Sequence, residues 1–330
     1  MRARAFALAI AVAAPWPSHP ATGQQPPGDT GASESRIPVG SASLYVRAIG
    51  QGEPVIVLHG GPDFDHAYLL PDLDRFGDAF RLIYYDQRGR GRSAEHVRPQ
   101  DVTLASDVED VDRVRRHFGL EAPVLLGHSW GAVLALEYAL RHPTRVSRLI
   151  LMNPAPVSAG DLALLRKSHL ERLGGDMDRQ RAIVASTAYQ EGDPDTVAAR
   201  YRIHFEHALM RPEHYERLMA AMHAAFVAQG KEGIVKARAV EDQLLRDTWA
   251  VAGYDLLPGL RGLRIPTLVI GGDHDFIPPE IAAHIARAIP DARLVTIRDC
   301  GHFAYLECPA DVRTALNDFF RGASPARRPD

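Results

Sequence analysis

Short apolar runs alternate with segments of helical spacing along most of this chain. Runs typical of buried strands occur at residues 54–58, 81–85, 123–126, 148–152, 266–270 and 292–297. Helical spacing follows at residues 103–118, 280–289 and 309–321. Residues 37–49 alternate loosely, which indicates further strands joined by turns. Because uninterrupted apolar runs are typical of strands buried on both faces, the pattern predicts an α/β fold with a mostly parallel central sheet flanked by helices.

The strand pattern is absent between about residues 155 and 260. Polar stretches with helical spacing replace it, broken at Gly174-Gly175, at Gly192-Asp193-Pro194 and at Pro212. We therefore predict an α/β core of residues 36–154 plus 261–322 that carries a helical cap at residues 155–260. We expect most of the cap's aromatic residues to form its own core: Tyr189, Tyr201, Phe205, Tyr215, Phe226, Trp249 and Tyr254.

The first residues are typical of a secretory signal peptide. Met1-Arg2-Ala3-Arg4 is basic, residues 5–14 are apolar, and small residues with Pro, Gly, Ser and Gln follow. The apolar run is too short to span a bilayer as a helix. We predict that residues 1–24 are a signal peptide and disordered leader, cleaved between Ala14 and Gln25, and that the protein is exported to the periplasm or secreted. A cytoplasmic protein with a disordered extension is the alternative.

Composition and charge exclude several classes of partner. The 330 residues are 46% hydrophobic and 24% charged, with a formal net charge of −3, so nothing electrostatic favours nucleic acid or an anionic membrane surface. We expect a small-molecule or short-peptide substrate, no stable membrane association, and no cofactor; the sequence leaves the oligomeric state open. Two cysteines, Cys300 and Cys308, are too few to imply a disulfide framework. We interpret them as small packed residues, with an oxidised pair left open.

Gly127-His128-Ser129-Trp130-Gly131 stands between a buried-strand run and an Ala/Leu-rich segment. This pattern indicates a strand, a very tight turn and a helix, with Ser129 at the apex and its hydroxyl clear of the sheet. Glycines two positions before and after the serine allow the strand and helix to approach each other. A Gly-x-Ser-x-Gly sequence alone also fits a simple strand-to-helix turn.

An acid and a histidine follow later strands and complete a set with Ser129. Asp273 and Asp275 follow the run at 266–270, and His302 follows the last run. Because ligands gather at the carboxyl ends of parallel strands, these groups are expected to meet. A serine needs a base such as imidazole, and a carboxylate fixes the imidazole tautomer. We assign Ser129, Asp275 and His302 as the catalytic residues and leave Asp273 to bond loop backbone.

Two backbone N–H groups are candidates for an oxyanion hole. One belongs to Trp130, directly after the serine, and the other to Gly61 in the His59-Gly60-Gly61-Pro62 loop. The His204-Phe205-Glu206-His207 cluster lacks the histidine pair at i and i+4, and the third ligand, that helical zinc sites use. We therefore predict no metal site.

Several motifs together resemble a known family. They are His59-Gly60-Gly61-Pro62, Asp86-Gln87-Arg88-Gly89-Arg90-Gly91-Arg92-Ser93, Gly127-His128-Ser129-Trp130-Gly131, Gly272-Asp273-His274-Asp275 and Gly301-His302. Across residues 40–321 the chain resembles the proline iminopeptidase (prolyl aminopeptidase) branch of the α/β-hydrolase superfamily. The resemblance implies an α/β-hydrolase fold with a helical cap, and the triad Ser129, Asp275 and His302. It also implies that Asp86 and Arg88 serve loop architecture.

Two positions depart from that branch. Asp63 stands where the family usually has a glycine after the Gly-Gly-Pro sequence, and His128 stands where it often has a glycine before the serine. A histidine there is also frequent in esterases.

The resemblance and the motifs predict a serine hydrolase that acts through an acyl-enzyme and releases an N-terminal residue. A carboxylesterase or other small-acyl ester hydrolase is the alternative, and a non-enzymatic binding protein ranks below both because the triad is complete. An aminopeptidase needs a counter-charge for the substrate ammonium. The cap offers Glu191, Glu206, Glu213, Glu216, Glu232 and Glu241, and the sequence does not select among them.

Overall fold

The computed structural model describes residues 31–322. One eight-stranded sheet runs through it in the order β1-β2-β4-β3-β5-β6-β7-β8. Its strands are β1 (Ser33–Val39), β2 (Ala42–Ile49), β3 (Glu53–Leu58), β4 (Phe80–Tyr85), β5 (Val124–His128), β6 (Arg148–Met152), β7 (Thr267–Gly272) and β8 (Ala292–Ile297). β2 pairs antiparallel with β1 and β4, and the remaining pairs are parallel. The predicted mostly parallel sheet is confirmed.

The helices follow the predicted segments. They are α1 (Leu104–His117), α2 (Trp130–Arg141), α3 (Ala159–Leu173), α4 (Asp176–Ala185), α5 (Thr187–Gln190), α6 (Pro194–His204), α7 (Pro212–Asp247), α8 (Leu257–Leu260), α9 (Pro279–Ala288), α10 (Ala304–Glu307) and α11 (Pro309–Phe320). Short 3₁₀ helices span His66–Leu69, Leu73–Asp78, Gly91–Ser93, Pro99–Asp101 and Pro143–Arg145. Local chemistry sets several boundaries. For example, the Thr103 and Ser106 side chains form a capping box that begins α1.

The centre of the sheet is buried on both faces. β3 lies between β4 and β5, and its residues Val55, Ile56, Val57 and Leu58 are at most 1% exposed. This burial is why the run is continuously apolar instead of alternating. β3, β5, β6 and β7 are parallel, so the loops after them meet at one edge of the sheet, where a ligand site is expected.

Six helices, α3 to α8, lie between β6 and β7 in the described chain, within the interval predicted as a cap. α3 ends and α4 begins around Gly174-Gly175, and Pro194 and Pro212 each open a helix, as the sequence indicated. α7 is broken at Gly230, where φ is 67°. The division into a core of residues 36–154 plus 261–322 and a cap of residues 155–260 stays a prediction.

Cys300 and Cys308 are joined in a disulfide. We interpreted the two cysteines as small packed residues, and that interpretation was wrong. The alternative that we left open, an oxidised pair, is the one found. The bond closes a short loop that contains His302. The predicted signal peptide lies outside the described residues. Within residues 31–322 no helix combines the length and the apolar content needed to cross a bilayer.

Candidate active site

Ser129 stands at the turn between β5 and α2, as the sequence predicted. Its backbone has φ 55° and ψ −119°, a conformation that non-glycine residues rarely adopt. A Cβ at Gly127 would lie 2.3 Å from the Gly131 carbonyl oxygen, and one at Gly131 would lie 2.0 Å from that of Leu58. Both glycines are therefore required by close backbone approach. The strained apex places Ser129 at the edge of the sheet.

His302 and Asp275 form a buried pair. Nδ1 of His302 lies 2.9 Å and 3.0 Å from the two carboxylate oxygens of Asp275, and the residues are 2% and 3% exposed. Because Nδ1 donates to a carboxylate, Nε2 retains its lone pair and can accept a proton. The Ile277 backbone N–H also donates to Asp275, at 2.8 Å. Asp273, the other candidate acid, is exposed and contacts His274 instead.

Asn153, which the sequence reasoning missed, anchors the acid. It follows β6 at φ 48°, and its Nδ2 donates to Asp275 Oδ2 at 2.8 Å and to the Gly301 carbonyl at 3.2 Å. One side chain therefore links the loop of the acid to the loop of the histidine. The available signal was its place, directly after a parallel strand at the ligand-binding edge.

Glu307, also missed, holds the histidine loop from the other side. Its buried carboxylate accepts the backbone N–H of Gly301 at 2.8 Å and that of Met210 at 2.7 Å. The His302 N–H donates to the Ala208 carbonyl at 2.7 Å. The stretch between α6 and α7 is thus bonded directly to the loop that carries His302.

One cavity of about 150 Å³ brings most of the predicted residues together. Ser129, His302 and Gly61 all line it, and Asp275 lies behind His302. Trp130 is the first residue of α2, so its backbone N–H has no acceptor within the helix. Among the described residues the Ser129 hydroxyl makes no hydrogen bond to His302. In enzymes without bound substrate, the distance between the nucleophile and its base commonly exceeds hydrogen-bond length and shortens when substrate binds.

The rest of the wall is mostly aromatic. Its apolar members are Pro62, Phe64, Tyr68, Ala155, Leu165, Tyr201, Phe205, Trp249, Phe276, Ile277 and Phe303. Tyr201, Phe205 and Trp249 come from the segment between β6 and β7, and they line the cavity while also packing in or against the buried core. The expectation that most aromatics of this segment form its own core stays a prediction. Tyr201 lies on α6, Phe205 directly follows that helix, and Trp249 follows α7.

A charged cluster lines the same cavity. Asp63 accepts a hydrogen bond from the Tyr201 hydroxyl, and Glu241 and Arg200 line the wall beside them. Burial raises the pKa of Asp63. Burial, and then the charge of Asp63, raise the pKa of Glu241 to about 8. Within the described chain Glu241 forms no ion pair. The positive charges of Arg200 and Arg238 oppose the rise in the pKa of both acids.

Glu241 is the one predicted cap glutamate that lines the cavity. The other five, Glu191, Glu206, Glu213, Glu216 and Glu232, are exposed. Glu191 pairs with Lys231 at 3.9 Å, and Glu216 pairs with Arg202 at 2.5 Å. Their surface positions leave Glu241 and Asp63 as the acids available to a bound molecule.

Most of the other residues singled out in the sequence take part in hydrogen bonds and ion pairs that stabilise loops, or lie at the surface. Asp86 accepts from His66 Nδ1 at 2.6 Å and from the Arg92 N–H at 2.8 Å, and Arg88 pairs with Asp110 at 2.6 Å. These bonds organise the loop after β4. In the His204–His207 cluster, His204 lines the cavity whereas Glu206 and His207 are exposed. Across residues 31–322 no three His, Cys, Asp or Glu side chains are arranged to hold a metal ion.

Comparison with known proteins identifies the family of the fold. Residues 53–309 match the family model described as the alpha/beta hydrolase fold. The chain is 28% identical over 276 residues to the proline iminopeptidase of Saccharolobus solfataricus. That match covers 80% of this chain and 83% of the relative. It is also 28% identical over 280 residues to the proline iminopeptidase of Heyndrickxia coagulans, and this match covers 82% of this chain and 91% of the relative.

A solved structure shows the same likeness. The crystal structure of the Mycobacterium smegmatis proline iminopeptidase superimposes with a TM-score of 0.63 at 25% identity, covering 88% of this chain and 98% of that one. Both sequence relatives and this structure extend over most of the chain. The chain belongs to the α/β-hydrolase fold family and is a hydrolase similar to the proline iminopeptidases.

Proposed function

We propose that this protein is a serine hydrolase in which Ser129 is the nucleophile, His302 the base and Asp275 the acid. The Ser129 oxygen attacks the substrate carbonyl carbon while its proton moves to His302 Nε2. His302 then gives that proton to the leaving group as the bond between the carbonyl carbon and the leaving atom breaks. A water molecule then attacks the acyl-enzyme while its proton moves to His302 Nε2. His302 returns that proton to the Ser129 oxygen as the acid product leaves.

The negative charge that develops on the carbonyl oxygen needs preorganised donors. The backbone N–H groups of Trp130 and Gly61 are the proposed pair. In other enzymes one such donor lowers the barrier by about 3 kcal/mol, so the pair supplies a large part of the rate.

The charged residues of the cavity favour an aminopeptidase over an esterase. Asp63 and Glu241 offer two carboxylates, and Arg200 offers one positive charge. Glu241 forms no ion pair among the described residues, and burial is the main reason that its pKa is raised to about 8. A substrate ammonium would supply the missing charge. We therefore propose that the protein releases an N-terminal residue from an amide or short peptide, with Glu241 and Asp63 facing the amine.

A carboxylesterase is the second candidate. Phe64, Leu165, Phe276 and Phe303 give the cavity an apolar surface that fits an acyl group without an amine. The two functions share the proposed triad and differ in their need for Glu241.

Replacing Glu241 with glutamine tests the choice. We expect kcat/KM for prolyl arylamides to fall about 10- to 100-fold, in line with the loss of one charge-assisted contact. Cleavage of matched N-acylated or simple acyl esters should change less than about threefold. The control is Glu232→Gln, an exposed residue of the same helix. Rapid ester cleavage with no prolyl release by the unmodified protein would instead establish the esterase.

The same substrates give a pH signature. The ratio of kcat/KM for the amine substrate to that for its blocked counterpart should rise from about pH 6.5 to about pH 8, as Glu241 ionises through its pKa of about 8. It should fall above that range because the substrate α-amine, with a usual pKa of about 8, loses its proton. Glu241→Gln should remove the rising limb, and a ratio that is flat in both proteins would contradict the amine subsite.

We also propose export to an oxidising compartment. The Cys300–Cys308 disulfide supports it, since disulfides persist in the periplasm and outside the cell and are rare in the cytosol. Mass spectrometry of the protein purified from its own cells should find an N-terminus between residues 15 and 25 and no free thiol. An intact leader with two free thiols would count against export.

A further inference from the structure

His128 is the last residue of β5, directly before Ser129, and is 1% exposed. Both of its ring nitrogens have partners. Nε2 lies 3.0 Å from the His302 carbonyl oxygen, and Nδ1 lies 2.7 Å from the Tyr68 hydroxyl. A histidine with two buried partners next to the nucleophile is the departure from the family pattern noted in the sequence.

The chemistry of these partners fixes every proton. A carbonyl oxygen only accepts, so Nε2 carries a hydrogen, and in the neutral ring Nδ1 is then an acceptor. The Tyr68 hydroxyl must then donate to Nδ1. Its oxygen accepts in turn from the Gly60 backbone N–H at 2.8 Å. The result is one directed chain from Gly60 through Tyr68 and His128 to the carbonyl of His302.

This series of hydrogen bonds requires a neutral His128 imidazole. Burial, and then the nearby His302, hold the pKa of His128 well below its usual range. A protonated ring would have a donor at both nitrogens and could not accept from Tyr68. The same neutrality excludes a role for His128 as a second proton carrier.

Each end of the chain adjoins a proposed catalytic group. Gly60 precedes Gly61, whose N–H is a proposed oxyanion donor, and a Cβ at Gly60 would lie 3.0 Å from the Ser129 Cβ. At the other end, the bonded carbonyl is that of His302 itself. The chain therefore spans the oxyanion loop, the nucleophile turn and the loop of the base.

We propose that His128 is a positioning residue, which sets the spacing of the oxyanion loop, Ser129 and His302 through its bonds to Tyr68 and to the His302 carbonyl. The inference rests on the proposed serine-hydrolase function. It extends that function by giving His128 a task in the attack step and none in amine recognition. A displacement of about 1 Å between reacting groups costs up to about 100-fold in rate.

Three variants separate the two bonds of His128. His128→Asn keeps an acceptor near the Nδ1 position, His128→Gln keeps a donor near the Nε2 position, and His128→Phe keeps only the ring. Tyr68→Phe removes the central hydroxyl. The control is Tyr138→Phe. Tyr138 lies on α2 away from the cavity, and its buried hydroxyl donates to Asp112 on α1 at 2.9 Å.

The readouts are kcat, KM, melting temperature and the rate constant for labelling Ser129 with a fluorophosphonate, which requires attack but no particular acyl group. We expect Tyr68→Phe and His128→Gln each to lower kcat and the labelling rate about 10- to 100-fold with KM within about threefold. Because both remove the same bond, the double variant should be no slower than the slower single variant. Tyr138→Phe should keep both rates.

Full kcat and full labelling in His128→Phe would overturn the proposal and leave His128 a packing role. Additive losses in the double variant would also overturn it. If His128→Phe does not fold, Tyr68→Phe and His128→Gln still decide. Failure of the serine-hydrolase function is distinguishable, since the unmodified protein would then resist the fluorophosphonate altogether.

Discussion

Replacing Ser129 with alanine is expected to lower turnover about 10⁴- to 10⁶-fold while leaving the fold intact, if the three proposed residues act as a unit. Alanine keeps the Cβ, so the strained turn at φ 55° is neither relieved nor worsened. Only the nucleophilic oxygen is lost. Stopped assays on both a prolyl arylamide and a short ester should show the same loss, because both reactions pass through the same attack.

The matched control is Ser147→Ala. The Ser147 hydroxyl is buried and has no side-chain partner among the described residues, and it lies outside the cavity. That variant should keep full turnover. A fluorophosphonate should add once to the unmodified protein and to Ser147→Ala, and should leave Ser129→Ala unlabelled. Turnover that survives in Ser129→Ala would reject the nucleophile assignment for every substrate that remains cleaved.

Strand positions were predictable because burial of both faces leaves a strong sequence signal. The bounds of β6 and β8 agree with the predicted runs, and β4 and β7 differ by one or two residues. β1 and β2 were less sharply defined. They lie at one side of the sheet, where the exposed residues of β1 weaken the apolar pattern.

The predicted catalytic residues share one property, which is that each follows a parallel strand. Topology alone brings such positions to one edge, so Ser129, Asp275 and His302 could be proposed together without any knowledge of contacts. Asn153 shares this position, but an asparagine after a strand is no chemical signal in itself. Its bond to Asp275 spans 122 positions of the chain, and only the folded structure shows it.

The acids of the cavity were beyond sequence reasoning for a different reason. Asp63 was visible as an unusual residue, yet its partner Tyr201 is 138 positions away. Selecting Glu241 from six glutamates requires the orientation of α7 over the sheet, which depends on how the insertion packs and on the break at Gly230. Local periodicity does not determine that packing.

Replacing Asp275 with asparagine is expected to lower kcat about 10⁴-fold, the second large effect. The Asp275 carboxylate accepts from three donors: His302 Nδ1, the Ile277 N–H and Asn153 Nδ2. An amide turns one acceptor oxygen into a donor. The imidazole then accepts at Nδ1 and carries its proton on Nε2, where it can no longer take the proton of Ser129.

Asp273→Asn is the matched control, because Asp273 is two residues away, exposed, and bonded to His274 instead of His302. It should keep kcat within about threefold, since a surface contact of this kind contributes little. The comparison isolates the tautomer effect from general damage to the loop, and melting temperatures of both variants check that the loop is intact. A larger loss of kcat in Asp273→Asn than in Asp275→Asn would transfer the acid role to Asp273. Equal small losses would mean that Ser129 is activated without a carboxylate, which contradicts the proposed triad.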